Sequence, residues 1–487
     1  MKLLTMYLPQ FHRVKENDQW WGEGFTEWTA VKNAVPLFEG HDQPKVPYHD
    51  NYYDLLNKGT MQWQAELMKE YGVYGQVFYH YWFADGRRIL EKPAENLLRW
   101  KEIDMPFCFS WANESWARSW SNLSDKNTWS SKLDTEIEMD SSNGVLLEQA
   151  YGEEKAWREH FEYLLQFFVD ERYIKKDGKP IFIIYKPDSI PCLARMIDYW
   201  REMSGAAKLP GIYVIGTNSE RRGILDATLM QEPQASIRNA ANKKMIDGHE
   251  LWRQILQREV SANTFLCGFS GYDDTPRRGE GGKVVEPIEP KEFREYMKQL
   301  LAKSRALGNE FTFINAWNEW GEGMYLEPDQ THEFQMLKAI RQAMEEYQHI
   351  DFRVNKVATG DAAVIGRYKS YWNILDKWLT LLENGKSLEE ILSKRGFYTI
   401  ALYGLGMLGL HVMKELEGSK ISIKYGIDQR GSDIRQAFPI LKKEDELPEV
   451  DAVIVSATYD FGEIYRMLNE KMDCPIISLE EIVGEGI

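Results

Sequence analysis

The sequence contains few cysteines and no pattern of residues that would hold a metal ion. Its 487 residues include four cysteines, which stand far apart and form neither a CxxC pair nor a His/Cys ligand spacing. Isolated cysteines in apolar segments are typical of buried free thiols in a reducing compartment. The sequence therefore predicts neither a disulfide framework nor a metal site.

Long apolar runs and basic stretches are also absent. No segment approaches the roughly 20 apolar residues needed to cross a bilayer, and Pro9, Gln10 and Arg13 interrupt the first apolar run well short of a signal peptide. The 59 basic and 75 acidic residues give a net charge of −16 without a basic stripe. This balance argues against nucleic acid or an anionic membrane as a partner. We expect a cytoplasmic protein with no membrane span, and its oligomeric state is left open.

Tryptophan is the abundant residue. The chain has 17 tryptophans, and ten of them precede residue 130. Some must belong to the core, but so many beside polar residues favour an aromatic-lined cleft of the kind that binds carbohydrate.

Short apolar runs alternate with amphipathic stretches along the first 350 residues. The apolar runs predict eight strands: Leu3–Leu8, Gly75–Tyr81, Pro106–Trp111, Ile181–Tyr185, Ile212–Gly216, Ala227–Gln231, Thr264–Phe269 and Phe311–Ala316. The amphipathic stretches predict helices at Met61–Tyr71, Pro93–Glu102, Glu153–Asp170, Cys192–Met203, Asn242–Val260, Pro290–Ala306 and His332–Tyr347. Eight strands with helices between them is the count of a closed (β/α)8 barrel.

The chain divides into three parts by pattern. We predict an α/β fold with a (β/α)8 barrel catalytic domain at residues 1–349, a helical connector at 350–395, and a small Rossmann-like domain at 396–487.

A glycine-rich turn marks the start of the third part. Gly404, Gly406 and Gly409 form a GxGxxG pattern after a predicted strand, and Asp428 ends the next strand, where a ribose would be held. About 90 residues remain, which is too few for a dinucleotide domain with its own substrate pocket. The pattern therefore favours a structural or regulatory module over a working nucleotide site, and we expect no cofactor.

Two carboxylates lie at the end of the eighth predicted strand. Glu319 and Glu322 are three residues apart and are interleaved with Trp317, Asn318 and Trp320. Cleavage of a glycosidic bond needs one group that donates a proton and a carboxylate that accepts a proton or meets the developing cation. Indole rings can stack on sugar and can raise the pKa of a nearby acid.

Other polar and aromatic residues follow the predicted strands. In a barrel the loops after the strands form the catalytic face. We therefore expect an oligosaccharide or polysaccharide substrate to contact Tyr7, Gln10, His12, Trp28, His80, Tyr81, Trp82, Trp111, Asn113, Glu114, Tyr185, Lys186, Trp317, Asn318 and Trp320.

A second catalytic pair is compatible with the sequence. Many barrel glycosidases use an Asn-Glu after strand four as acid/base and a later Glu as nucleophile, with carboxyls about 5–5.5 Å apart when configuration is retained. Asn113-Glu114 and Glu319 could take those roles, or Glu114 could hold a sugar hydroxyl. We favour Glu319 with Glu322.

Four motifs carry a family resemblance that covers roughly residues 1–350. The segments 7–12 (YLPQFH), 20–28 (WWGEGFTEW), 109–114 (FSWANE) and 317–323 (WNEWGEG) resemble the WbsX-type proteins. These proteins are found among bacterial surface-polysaccharide genes and are related to glycoside hydrolase family 99. The C-terminal part lies outside the resemblance.

The resemblance implies a retaining, endo-acting α-mannosidase-like enzyme on a (β/α)8 barrel that needs no metal. Carried over to this chain, Glu319 is the base that deprotonates the 2-hydroxyl of the sugar, which then attacks the anomeric carbon. Glu322 is the acid that protonates the leaving oxygen. Family 99 has His where this chain has Gly321, and this departure bears on mechanism and substrate more than on the site.

Three function classes follow from these observations. The first is a retaining glycoside hydrolase or transglycosylase that acts on an α-linked glycan tied to cell-surface polysaccharide or lipopolysaccharide biosynthesis. A glycosyltransferase in O-antigen or capsule assembly is the alternative, and a non-catalytic glycan-binding protein is the third. Activity lost on replacing either Glu319 or Glu322 separates the enzymes from the third class.

Overall fold

The computed structural model describes residues 1–117, 145–221, 223–237, 244–261, 263–350, 352, 359–428 and 438–485. The described residues form two compact units. The first contains residues 1–187, 199–219 and 227–356, and the second contains 188–198, 220–226 and 357–487. The domain boundaries expected from the sequence, at residues 349/350 and 395/396, stay a prediction.

Eight parallel strands of the described chain close into a barrel in the first unit. They are β1 (Lys2–Tyr7), β2 (Gly75–Trp82), β3 (Phe107–Trp111), β4 (Lys179–Ile184), β5 (Tyr213–Thr217), β6 (Ala227–Met230), β7 (Thr264–Phe269) and β8 (Phe311–Asn315). Strand β1 pairs in parallel with both β2 and β8, which closes the sheet. The eight predicted strands and the (β/α)8 barrel are confirmed.

Helices fill the connections of the barrel. The longer ones are α1 (Lys15–Trp21), α2 (Glu27–Asn33), α3 (Lys58–Tyr71), α4 (Lys92–Arg99), α5 (Glu154–Phe168), α6 (Leu193–Ala206), α7 (Gly248–Gln257), α8 (Pro290–Ala306) and α9 (Gln335–Glu346). The seven predicted helices correspond to α3–α9. Helix α7 begins at Gly248 because the Asp247 side chain caps it by accepting from the Glu250 N–H. Residues 242–243 of that prediction lie outside the described residues.

The barrel core follows from strands that are apolar on both faces. Phe182, Ile183 and Ile184 of β4 are all fully buried, as expected for a parallel strand covered by side chains on one face and helices on the other. Helix α3 shows how local signals place the outer layer. The Asn57 side chain accepts the Gly59 N–H at 2.8 Å to start the helix, and Gly72 ends it in the left-handed conformation.

The second unit contains a sheet of five parallel strands among residues 399–428 and 438–478. The strands are β9 (Thr399–Tyr403), β10 (Ser422–Ile427), β11 (Ile440–Leu441), β12 (Ala452–Val455) and β13 (Ile476–Ser478), in the order β11-β10-β9-β12-β13. Its helices are α10 (Thr359–Glu383), α11 (Leu388–Lys394), α12 (Met407–Glu415), α13 (Phe461–Asn469) and α14 (Leu479–Glu485). This order matches part of a doubly wound sheet.

Within the described ranges, no helix is both long enough and apolar enough to cross a membrane.

Candidate active site

A cavity of about 310 Å³ opens at the carboxyl ends of the barrel strands. Its walls come from β2 and from the segments after β1, β3, β4, β6, β7 and β8, which is where barrel enzymes place their catalytic groups. Carboxylates, guanidinium groups, phenols and indoles line it.

Four charged side chains meet on one wall, and we call them the acid cluster: Arg277, Glu27, Glu319 and Glu322. The guanidinium of Arg277 donates from Nε to Glu27 Oε1 at 2.7 Å and from Nη2 to Glu319 Oε2 at 2.9 Å. Its Nη1 donates to Glu322 Oε1. One cation thus holds three carboxylates, and the planar fork fixes their directions.

The two glutamates of the WNEWGEG segment sit on a tight local fold after β8. Residues Asn318–Glu319 pair in antiparallel fashion with Met324–Tyr325, and the residues between form a single 3-10 turn. Gly323 ends this turn in the left-handed conformation, with φ of 61°, which a glycine adopts without strain. The turn points both carboxylates toward Arg277.

The other two members of the cluster come from distant loops. Glu27 is the first residue of α2, where Thr26 and Thr29 form a reciprocal cap. Arg277 lies on the one-turn helix Thr275–Arg278 after β7, which is anchored because Asp273 accepts from the N–H of Thr275 at 3.0 Å and from its hydroxyl at 2.6 Å.

Burial raises the pKa of both Glu319 and Glu322. The side chain of Glu319 is 7% exposed and that of Glu322 is 24% exposed. The Arg277 charge opposes this rise, whereas repulsion from Glu27 adds to it. Because three carboxylates share one guanidinium, full ionisation would leave excess negative charge in a buried place. The pair titrates as a unit and retains a proton above the ordinary pH range of a carboxyl group.

Glu114 reaches the same cavity with a cation of its own. Its carboxylate pairs with Lys186 Nζ. Asn113 holds the two loops together, because its amide donates to the Lys186 carbonyl at 2.8 Å and its oxygen accepts the Lys186 N–H at 2.7 Å. Asn113 and the Lys186 backbone are therefore supports of the wall, while Glu114 is part of it.

The structure brings six of the predicted site residues to the cavity wall and leaves eleven off it. The six are Gln10, Tyr81, Glu114, Tyr185, Glu319 and Glu322. Those off the wall are Tyr7, His12, Trp28, His80, Trp82, Trp111, Asn113, Lys186, Trp317, Asn318 and Trp320. Only part of the predicted rim therefore lines the cavity, and contact of these residues with a substrate stays a prediction.

Trp317 and Trp320 are buried behind the loop that carries Glu319 and Glu322 and lie off the cavity wall. They are 0% and 1% exposed, and their indole N–H groups donate to Glu327 at 2.9 and 2.8 Å. Tyr53 and Gln64 also donate to this carboxylate, each at 2.7 Å. Burial raises the pKa of Glu327 to about 7 in spite of these donors. An indole with a buried acceptor is held in the core.

Three predicted binding residues belong to a packed aromatic cluster around His160. Trp82 stacks on its ring at 4.6 Å, and Trp111 meets it edge-on at 4.9 Å. His80 Nε2 lies 2.9 Å from His160 Nε2. Burial lowers the pKa of His80 to about 3, so the imidazole is neutral and acts as a core group.

Four more predicted binding residues support the loop after β1. The Tyr7 hydroxyl donates to Gln64 at 2.7 Å, and the Trp28 indole donates to the Tyr53 carbonyl at 2.8 Å. Asn318 bonds both backbone groups of Leu8, at 2.8 and 3.0 Å. His12 is buried at 1% exposure.

Comparison with known proteins places the chain in a family. The family model described as Glycosyltransferase WbsX matches residues 3–340. This chain belongs to the WbsX glycosyltransferase family. An uncharacterised protein named WxcX from Xanthomonas campestris pv. campestris is 31% identical over 414 residues, which cover 80% of this chain and 56% of that protein. The chain thus spans about half the length of the curated relatives it matches.

Solved structures with a similar fold include a family 99 endo-α-mannosidase (GH99) from Bacteroides thetaiotaomicron. Its TM-score is 0.44 at 14% identity, over 71% of this chain and 97% of that one. At this level the likeness carries no argument about function, and the barrel is established from the strand pairing described above.

Sequence reasoning missed two members of the acid cluster in this WbsX-family chain. Glu27 lies inside the 20–28 motif, so the family resemblance included its loop but did not assign Glu27 a role. Arg277 follows an ordinary-looking strand end, and nothing in the sequence pairs it with a residue 250 positions away. Besides the predicted Tyr81 and Tyr185, the cavity is lined by five aromatic rings that were not among the predicted binding residues: Trp21, Phe25, Tyr79, Trp116 and Tyr272.

The glycine-rich turn of the second unit is bonded by side chains at the ends of two neighbouring strands. Asp428 Oδ2 accepts the Leu405 N–H at 2.8 Å, and the Ser456 hydroxyl donates to the Gly404 carbonyl at 2.5 Å. A Cβ at Gly409 would meet the Gly404 oxygen at 2.2 Å, so this glycine allows α12 to pack against the turn. Gly406 caps that helix. These contacts tie the turn to the neighbouring strand ends, and a structural or regulatory role for the motif stays a prediction.

Proposed function

We propose that this protein is a carbohydrate-active enzyme that cleaves or transfers an α-linked glycan with retention of configuration, through Glu319 and Glu322. One observation carries the proposal: two carboxylates with raised pKa are held by one guanidinium on the wall of a cavity at the catalytic end of a barrel. A pair that keeps one proton near neutral pH can supply both an acid and a base.

The roles of the two groups follow the motif resemblance. Glu322, the more exposed of the two, gives its proton to the glycosidic oxygen as the bond from that oxygen to the anomeric carbon breaks. Glu319 accepts the proton of the sugar's 2-hydroxyl, whose oxygen bonds to the anomeric carbon. Water then opens this 1,2-anhydro ring, loses a proton to Glu322, and the 2-oxygen regains its proton from Glu319. A sugar hydroxyl in place of water gives transglycosylation.

The charge of the cavity supports a neutral glycan as the substrate. The described lining residues carry four carboxylates (Glu27, Glu114, Glu319 and Glu322) and two guanidinium groups. Arg277 is already shared by three of those carboxylates. The diphosphate of an activated sugar would enter an acidic wall and meet repulsion.

Transfer from an activated sugar is the second candidate, and the family description is the observation that favours it. In that case one of the two glutamates, with its raised pKa, would act as the base that deprotonates the acceptor hydroxyl. Family membership also supports a place in cell-surface polysaccharide assembly for either reaction. The contacts within the glycine-rich turn support a structural role for a Rossmann-like second unit.

The test is a screen of α-linked oligosaccharides with NMR detection of the product anomer, paired with calorimetry of nucleotide-sugars. Cleavage with initial release of the α-anomer supports the proposal, and the E319Q and E322Q variants should lose it. Micromolar binding of a nucleotide-sugar without cleavage of any glycan would replace it by the transferase. Glycan binding that survives in both variants, with no turnover in the wild type, would identify a binding protein.

A further inference from the structure

The glycine between the two catalytic candidates has no room for a side chain. An ideal Cβ on Gly321 would lie 1.8 Å from Glu27 Oε1 and 2.9 Å from Arg277 Nε. The backbone of Gly321 is outside the left-handed region, so its dihedral angles would accept other residues. Glycine is needed here because the Glu27–Arg277 ion pair lies directly against the backbone.

The two residues that occupy this space come from different loops and are deeply held. The side chain of Glu27 is 3% exposed and that of Arg277 is 21% exposed. Glu27 Oε1 lies 2.7 Å from both Nε and Nη2 of Arg277, while Nη2 also donates to Glu319 and Nη1 donates to Glu322. Glu27 thus orients the guanidinium, and the guanidinium orients the pair.

We propose that Glu27 and Arg277 are positioning residues for Glu319 and Glu322, and that Gly321 is a glycine so that they can reach the pair. The inference rests on the proposed function. Arg277 fixes the directions of the two carboxylates through its fork. Glu27 offsets part of the guanidinium charge, so that the pair keeps a proton that the cation alone would expel.

Charged and titratable groups face the pair from four segments of the barrel. They are Glu27 from α2, Tyr79 and Tyr81 from β2, Glu114 after β3, and Tyr272, Asp274, Arg277 and Arg278 after β7. Glu27 and Asp274 oppose the loss of a proton, and Arg277 and Arg278 favour it.

Two changes should therefore affect different kinetic quantities. Glu27→Gln removes a negative charge, so the pair loses its proton more readily and the alkaline limb of kcat/KM moves down by about one pH unit. Arg277→Lys keeps the charge but loses the fork, so we expect kcat to fall about 10²-fold while KM changes far less. Glu23→Gln, an exposed carboxylate in the same loop, is the matched control and should leave both values unchanged.

A double-mutant cycle tests the role of Gly321. Gly321→Ala displaces the Glu27 carboxylate, and the alkaline limb should move in the same direction as in E27Q. When Glu27→Ala has already emptied the space, the added methyl should cost at least tenfold less in kcat/KM than it does in the wild type. Equal effects of G321A in the two backgrounds would overturn the proposed reason for the glycine.

Infrared titration of the protonated carboxyl band provides a readout that needs no substrate. The folded wild type should show a carboxyl that titrates above the ordinary range, lost from that range in both E319Q and E322Q because each removes one member of the pair, and shifted down in E27Q. An unshifted band and an unmoved alkaline limb in E27Q would overturn the positioning role even if glycan cleavage is established. Absence of cleavage by the wild type, with the band shifting as expected, would instead overturn the proposed function.

Discussion

The cavity of the barrel and the glycine-rich turn of the second unit both follow a buried parallel strand, and both contain a conspicuous motif. They differ in where the polar atoms of the motif are directed. At the barrel cavity, Glu319 and Glu322 meet a cation on an open wall. At the turn, Asp428 accepts a backbone N–H of the turn itself, and Ser456 bonds the Gly404 carbonyl.

The difference shows that a motif supports binding only where its neighbours leave polar atoms for a ligand. Arg277 brings three carboxylates together, and their burial and mutual repulsion raise the free energy of full ionisation, which keeps a proton available for transfer. The Asp428 contact lowers the free energy of a turn, so its effect is on stability.

The largest expected effect is the loss of turnover at the acid cluster. Glu319→Gln and Glu322→Gln should each lower kcat by at least about 10²-fold, because each removes a group that transfers a proton. The measurement is steady-state kinetics on a glycan that the wild type cleaves, with circular dichroism to establish folding. Wild-type turnover in both folded variants would show that the reacting groups lie elsewhere.

The pH profile should separate a buried pair from ordinary carboxylates. Since burial raises the pKa of both Glu319 and Glu322, the acid stays protonated as pH rises above the usual value of about 4.3. Activity should therefore persist toward neutral pH and fall on a limb well above that value. A limb at pH 4 to 5 would contradict the shared proton.

A structural carboxylate beside the cavity should affect stability more than chemistry. Glu327→Ala leaves two indoles, a phenol and an amide without their buried acceptor, and we expect a loss of about 4 kcal/mol in the free energy of unfolding. Urea unfolding measures this. Glu327→Gln, which keeps one acceptor oxygen, should lose about half as much, and a loss below 1 kcal/mol for E327A would show that these contacts matter little.

These contrasts explain what the sequence could predict. The eight strands follow from apolar runs such as Thr264–Phe269, because burial on both faces of a parallel strand requires them. The pair Glu319 and Glu322 was visible because both members lie on one turn. Arg277 and Glu27 were not, since only the tertiary fold brings them together. The burial of Trp317 and Trp320 was not predicted, because the sequence does not show that Glu327 accepts hydrogen bonds from both indole N–H groups in the core.

A moderate effect is expected at Glu114. Because Lys186 pairs with it and it lines the cavity, Glu114→Gln should raise KM by about tenfold, as for a lost charge-assisted hydrogen bond to a sugar hydroxyl. The kinetic split between KM and kcat is the measurement. A 10²-fold loss in kcat would instead favour the pair Glu114 and Glu319.

The smallest effect is expected at the glycine-rich turn. Asp428→Ala should leave glycan turnover unchanged and lower the stability of the second unit by about 1–2 kcal/mol, because one partly buried backbone N–H loses a charged acceptor. Limited proteolysis and kinetics measure the two effects. Lost turnover in a folded D428A protein would give the turn a part in catalysis and remove the contrast between the two regions.

The most direct test of the pair is the structure of the E322Q variant soaked with an oligosaccharide that the wild type cleaves. We predict that the anomeric carbon lies between the side chains at positions 319 and 322, with the 2-hydroxyl within hydrogen-bond distance of Glu319. An anomeric carbon flanked by Glu114 and Glu319, with position 322 turned away from the glycosidic oxygen, would contradict the assignment.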